Sequence, residues 1–231
     1  MDTFFDEVDD LLNDGRCLEA YHLLETSSSV GDRLGWLYRA AIACYNKGCT
    51  ENVDKDRIEW LRKAHDHALE AHELEPEDTD VLSVLCSATG KLAEDTSLMD
   101  KVKFGFEFQQ YLNKAIALCA DSYEFLHMRG RFEYQVSTLG TVERTLARAL
   151  GSLPTASLEN ALQDLLAADA ISPDEIENVF FIGKTYDALG DYRNAETYLQ
   201  KVVGMARDPE CVVECEYVEE ARQILSGINY S

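Results

Sequence analysis

The chain reads as an all-α protein built from about five stacked helix-turn-helix repeats. Three observations predict this. First, the stretch NVFFIGKTYDALGDYRNAETYLQKVV, residues 178–203, has an apolar stripe at helical spacing (Ile182, Gly183, Tyr186), a break at Gly190-Asp191, and a second stripe (Ala195, Leu199, Val202). Second, the same spacings recur along the chain, and such a unit cannot bury its apolar face without neighbours. Third, no stretch alternates with the two-residue period of a strand.

Taken in order, residues 2–26 form the first repeat, with the stripe Phe4, Val8 and Leu11, a turn at Gly15-Arg16, and the return stripe Ala20 and Leu24. Ser27, Ser28, Ser29 and Gly31 connect it to the second, residues 32–76, which carries Trp36, Ala40, Ala43 and Cys44, then a polar insertion at 47–55, then Ala64, Ala68, Ala71 and Pro76. The third, 79–120, has Leu82, Leu85 and Cys86, an insertion that includes Met99 to Lys103, and a return helix with Phe108, Leu112 and Ala115. The fourth, 123–173, has Leu126 and Gly130, then Ala161, Leu165, Ala168 and Pro173. Its insertion is the longest, and Val142, Leu146, Ala149 and Leu150 predict a short extra helix there, ended by Gly151 and Pro154. The fifth, 176–208, closes at Asp208-Pro209. A helix over 209–226, with Val212, Cys215, Val218 and Leu225 inward and Glu214, Glu216, Glu219 and Glu220 outward, predicts a polar cap. These bounds describe a single repeat domain over 1–231.

A small residue, an aromatic, a turn, an alanine, a bulky apolar residue and a proline is an order that resembles the tetratricopeptide repeat. The fold expected is therefore a tetratricopeptide-like superhelix with long insertions in repeats two to four and a C-terminal capping helix. At the fourth unit the match is more specific. GRFEYQVS at 130–137, the inserted helix, a Pro and an Ala-Leu helix follow GFEFQQYLNKAIAL at 105–118, and this run resembles the regulator of microtubule dynamics family, over roughly residues 34–203. The resemblance implies a repeat protein associated with microtubules and spindle poles, directly or through an adaptor, acting in chromosome segregation with spindle-associated proteins as partners. It also implies phospholipid as an alternative ligand, because one membrane-tethered relative binds it through its repeats. The acidic start MDTFFDEVDDLL contains neither a membrane segment nor a basic targeting signal, so a cytoplasmic, cytoskeletal protein is expected rather than a tethered one.

Composition sets outer bounds. With 231 residues, 46% of them hydrophobic, the chain can bury a substantial core. Its net charge of −22 repels nucleic acid and anionic membranes. That charge is uneven: residues 1–80 hold 20 acids and 8 bases, residues 81–150 hold 8 of each, and residues 151–231 hold 15 and 5, for nets of −12, 0 and −10. Seven cysteines without a CxxC pair read as reduced thiols.

In stacked repeats the first helix of each pair lines the groove, so positions around the small residue look into it. These are Lys91 in repeat three, His127, Arg131 and Tyr134 around Gly130, and Phe180, Lys184 and Asp187 around Gly183. Converging Arg, Lys, Tyr and His suit a carboxylate, a phosphate or an acidic peptide. The plainer alternative is a solvated groove with Arg131 paired to a core acid such as Glu133 or Asp164. A second basic set, Lys101, Lys103, Arg144 and Arg148, falls on the insertions, as a docking patch or a solvated face. Nothing matches HExxH, a Gly-rich phosphate loop or GxSxG, and the expected protein is not an enzyme and has no cofactor. His65 and His72 share a helix face and could supply half a metal site, and Cys211 and Cys215 could bind a soft metal, but buried or surface thiols and imidazoles account for both pairs without one. A peptide-binding co-chaperone module fits less well, because repeats one and two offer Phe5, Leu37 and Ala41 where such modules carry basic clamps.

Overall fold

The computed structural model describes residues 2–26, 31–151, 155–205 and 212–228. Among these residues every regular element is an α-helix. The chain divides into two compact units, Met1–Cys119 and Ala120–Ser231. The connector Ser27 to Ser29, Pro154, Asp208-Pro209 and Cys211, all singled out in the sequence, lie outside the described residues.

In the first unit α1 (Asp2–Asn13) pairs with α2 (Cys17–Thr26), α3 (Arg33–Thr50) with α4 (Asp54–Leu74), and α5 (Thr79–Asp95) with α6 (Leu98–Leu118). Asp32 and Asp78 cap α3 and α5 by accepting backbone N–H bonds from Gly35 and Val81 at 2.9 and 3.1 Å. The core is rich in small side chains: Ala40, Ala43, Cys44, Ala64 and Ala88 are fully buried beside Val8, Ala20 and Leu24. Arg39 on α3 reaches Asp9 on α1 with two bonds of 2.7 Å.

The polar residues 47–55 and the run from Met99 to Lys103 do not loop out. They lengthen α3, α4 and α6 by extra turns, leaving only 51–53 and 96–97 as connections. The physical reason is visible at Gly48. A Cβ there would lie 2.9 Å from Leu61 Cγ, so the missing side chain lets α3 and α4 stay in contact to their far ends.

In the second unit α7 (Tyr123–Ser137) pairs with α9 (Leu158–Ile171) and α10 (Ile176–Leu189) with α11 (Tyr192–Gly204). Two glycines set how closely these pairs approach. A Cβ on Gly130 would meet Leu165 Cγ at 2.6 Å, and one on Gly183 would meet Leu199 Cγ at 2.8 Å; both leucines are fully buried. The fifth repeat turns at Gly190, whose φ of +77° only glycine adopts cheaply, with Asp191 N–H bonded to the Tyr186 carbonyl at 3.0 Å. The first repeat turns the same way at Gly15, φ +73°, with Arg16 N–H on the Leu11 carbonyl. Arg129 clamps Asp164 at 2.5 and 2.6 Å and fastens α7 to α9.

The inserted helix is present as α8 (Thr141–Leu150), with only Ala147 buried. Its apolar stripe is not turned inward: Val142 is 70% and Leu150 42% exposed. A last helix, α12 (Val212–Gly227), packs on α10 and α11, with Val218 and Ala221 buried. Among the described residues no helix is long and apolar enough to cross a membrane.

Candidate functional site

On α7 the spacing of His127, Arg131 and Tyr134 puts all three on one face, and on α10 Glu177, Phe180, Phe181 and Lys184 share another. Packing of the second unit brings these faces together, and α12 adds Tyr217 and Glu220.

Glu177 is the hub. Its Oε1 accepts from Arg131 Nη1 at 2.5 Å and from the Tyr217 hydroxyl at 2.5 Å, while its Oε2 faces His127 Nε2 at 3.5 Å. That last distance is an ion-pair approach rather than a well-formed hydrogen bond. Burial alone would raise the Glu177 carboxyl; the neighbouring His127, Arg131 and Tyr217 outweigh burial and hold it at about 2. His127 is itself buried. Its Nδ1 donates to Asn178 Oδ1 at 2.9 Å, an assignment fixed by Asn178 Nδ2 donating to the Leu165 carbonyl at 2.9 Å. The His127 ring stacks on Tyr123 at 5.7 Å.

The second half of the face is a cation held by aromatic rings. Lys184 Nζ lies 5.3, 5.7 and 5.9 Å from the rings of Phe180, Tyr134 and Phe181, and it pairs with Glu220 Oε1 at 2.5 Å. The Arg131 guanidinium lies 4.8 Å over Phe181, and the Phe180 and Tyr217 rings are 5.0 Å apart. Burial pushes the Tyr134 phenol up to about 12, with the Glu220 and Asp187 charges adding to it. Burial also raises the Asp187 carboxyl.

Of the residues singled out in the sequence, His127, Arg131, Tyr134, Phe180 and Lys184 are therefore neighbours, with Asp187 at the edge. The acid that takes Arg131 is Glu177 rather than Glu133 or Asp164, since Asp164 belongs to Arg129. Lys91 lies on α5 in the first unit, where it pairs with Glu94 and Asp95 at 3.4 and 3.5 Å. The insertion bases are divided between the two units. Lys101 and Lys103 are on α6 of the first unit. In the second unit Arg144 donates to the Ser137 and Leu139 carbonyls at 2.7 and 3.2 Å and so caps the end of α7, while Arg148 is exposed. His65 pairs with Glu107 at 2.9 Å and His72 approaches Lys114 at 3.3 Å, so these imidazoles face different partners. The groove rule misses Glu177, Tyr217 and Glu220. Glu177 stands one turn before Phe180 on the α10 stripe, and following that stripe back to its start finds it.

Antiparallel helix pairs that meet at a glycine and present a polar, aromatic face from their first helices define a tetratricopeptide-type repeat protein. The crystal structure of TTC0263, a thermophilic TPR protein of Thermus thermophilus, has this fold, with a TM-score of 0.63 at 16% identity over 96% of this chain and 98% of that one. Within that class the chain belongs to the regulator of microtubule dynamics family: the family described as Regulator of microtubule dynamics protein 1-3 matches residues 4–229. It is 28% identical over 185 residues to regulator of microtubule dynamics protein 1 of Caenorhabditis elegans, covering 78% of this chain and 81% of that protein. It is 31% identical over 189 residues to regulator of microtubule dynamics protein 3 of Bos taurus, covering 79% of this chain and 39% of that protein. The match to protein 3 of Xenopus laevis likewise covers 39% of that protein, so the chain spans well under half the length of these vertebrate relatives.

Proposed function

We propose that this protein is a non-enzymatic helical-repeat scaffold that organises microtubules through protein contacts, in the cytoplasm and at spindle poles, and contributes there to chromosome segregation. The observation that carries this reading is the family match over residues 4–229. The tetratricopeptide-like fold supports the scaffold part, since stacked helix pairs offer surface rather than a catalytic cleft.

Charge decides how contact is made. The acidic tails of tubulin repel a chain of net charge −22, so direct binding has to run through a local basic patch and weaken steeply with salt. Lys103 and Arg148 are exposed and Lys101 is half-exposed, whereas Arg144 is committed to capping α7. The test is microtubule cosedimentation across a salt series, wild type beside Lys101→Glu/Lys103→Glu/Arg148→Glu. Pelleting at low salt that the triple variant loses is the expected result for a direct contact. Wild type left in the supernatant at low salt sinks the direct version and leaves an adaptor.

The alternative of a phospholipid or small anion in the groove draws on Lys184 and its aromatic neighbours. It is the weaker reading, because Arg131 and Lys184 already pair with Glu177 and Glu220. Native mass spectrometry of the purified protein separates the two: a copurifying lipid would favour the alternative.

A further inference from the structure

The face that the sequence marks for an acidic ligand carries acidic side chains of the protein itself. Tyr217 and Glu220 stand three residues apart, one turn of α12. The Tyr217 hydroxyl donates a hydrogen bond to Glu177 and its ring lies 5.0 Å from Phe180, while Glu220 accepts from the ammonium of Lys184. Both partners on α10 are thus met by one turn of α12.

We propose that α12 is the resident occupant of a docking site for acidic helices, and that a partner helix carrying a tyrosine and a glutamate one turn apart takes the places of Tyr217 and Glu220.

The chemistry of the site selects that partner. Glu177 Oε1 accepts one bond from Arg131 and one from a hydroxyl, so the incoming ring has to be a phenol; a phenylalanine leaves the acceptor with less than it has now. Lys184, caged by Tyr134, Phe180 and Phe181, calls for a carboxylate, and a basic helix would be repelled. The apolar part is already shaped, since Phe180 and Phe181 are buried and belong to the core that α12 covers. Among its described residues α12 fully buries Val218 and Ala221 and packs Tyr217, Ile224 and Leu225 part-buried against the same core, where α10 fully buries Val179, Phe180, Phe181 and Ile182. Helix-in-groove recognition needs these parts: a hydrophobic floor, and polar groups that set the register.

This inference rests on the reading that the protein acts through protein contacts. The test uses the full chain and a fluorescein-labelled peptide of residues 212–227 as the probe, followed by fluorescence anisotropy. In wild type the resident helix competes and binding is weak. Tyr217→Ala/Glu220→Ala in the full chain loosens α12, and peptide affinity is expected to rise about tenfold or more. Adding Lys184→Glu removes that gain, and a peptide carrying Glu220→Lys restores it. Hydrogen exchange of the α12 amides should quicken in the loosened variant alone. If that variant loses its helical circular dichroism, Tyr217→Phe/Glu220→Gln replaces it with the same expected direction. No gain of peptide binding in either loosened variant, or binding indifferent to Lys184→Glu, overturns the proposal. Peptide exchange without microtubule pelleting would leave this site standing while removing the direct microtubule contact, and pelleting without peptide exchange would do the reverse.

Discussion

Glu177 accepts from two donors and faces a third group, His127, all on two other helices, and its substitution should be felt accordingly. Glu177→Gln removes the charge that Arg131 and the adjacent His127 face, and a loss of about 1–3 kcal/mol in urea unfolding is expected. Because the folded value lies below the ordinary 4.5, the carboxylate contributes its full stabilisation above pH 4.5 and loses it as pH falls toward about 2. The gap in stability between wild type and Glu177→Gln should therefore close over that window, and a gap unchanged at pH 2.5 would refute the pairing. His65 has the opposite sign. Burial opposes its charge, but the hydrogen bond and charge of Glu107, helped by Asp66, raise it above 6.5. Its contribution is complete below pH 6.5 and disappears as pH rises through the raised value, whereas burial lowers His67 and His72. The test is thus the difference between wild type and His65→Gln, which should hold below pH 6.5 and shrink as pH rises above it. Little of this was legible in the sequence. A stripe rule finds His127, Arg131 and Lys184, because they sit at fixed steps from Gly130 and Gly183. It does not find their partners, since which acid meets Arg131 depends on how α10 and α12 lie against α7.

Helix pairs are where sequence speaks most plainly, and glycine is the reason. Gly183 is readable as a contact point from its place between Phe180 and Tyr186, and the structure puts fully buried Leu199 against it. Gly183→Ala would drive a methyl group to 2.8 Å from Leu199 Cγ and 3.2 Å from its backbone nitrogen, which cannot retreat. A loss of about 1–3 kcal/mol is expected by thermal or urea unfolding. Gly105, in the interior of α6, has nothing within 4 Å of an added methyl, so Gly105→Ala should raise stability by about 0.5–1 kcal/mol. Equal effects at both sites would show that helix propensity, not close approach, governs Gly183. Helix length is harder to read. Polar residues 47–55 and 99–103 suit an exposed helix as well as a loop. What extends α3 is a tertiary contact, Gly48 on Leu61, that no local pattern announces. The orientation of α8 is illegible for a related reason: its apolar stripe fits burial, yet the bonds from Arg144 to the end of α7 hold the helix with Val142 outward.

At the scale of the whole molecule, fold class follows from repetition, because the recurring break between two apolar stripes has few other solutions. Cysteine burial provides a test of the packing. Cys119 is exposed, whereas Cys17, Cys44 and Cys86 are buried, and burial pushes the Cys44 thiol up to about 12. In a thiol titration of the native protein Cys119 should react promptly, while Cys17, Cys44 and Cys86 should wait for denaturant. Rapid labelling of Cys44 in the native state would contradict the packing of α3 against α2 and α4. The uneven charge, with acidic ends and a neutral middle, has no counterpart in the fold rules; it bears on partners, and salt is the variable that exposes it. The shared carboxylate of Glu177 has one more consequence. It turns the imidazole of His127 into a built-in reporter: when Tyr217 withdraws, the carboxylate loses a donor at Oε1, and the charge that His127 Nε2 faces across Oε2 is shared with fewer groups. The nitrogen resonances of one histidine can then register whether the last helix is seated, without any label being attached to it.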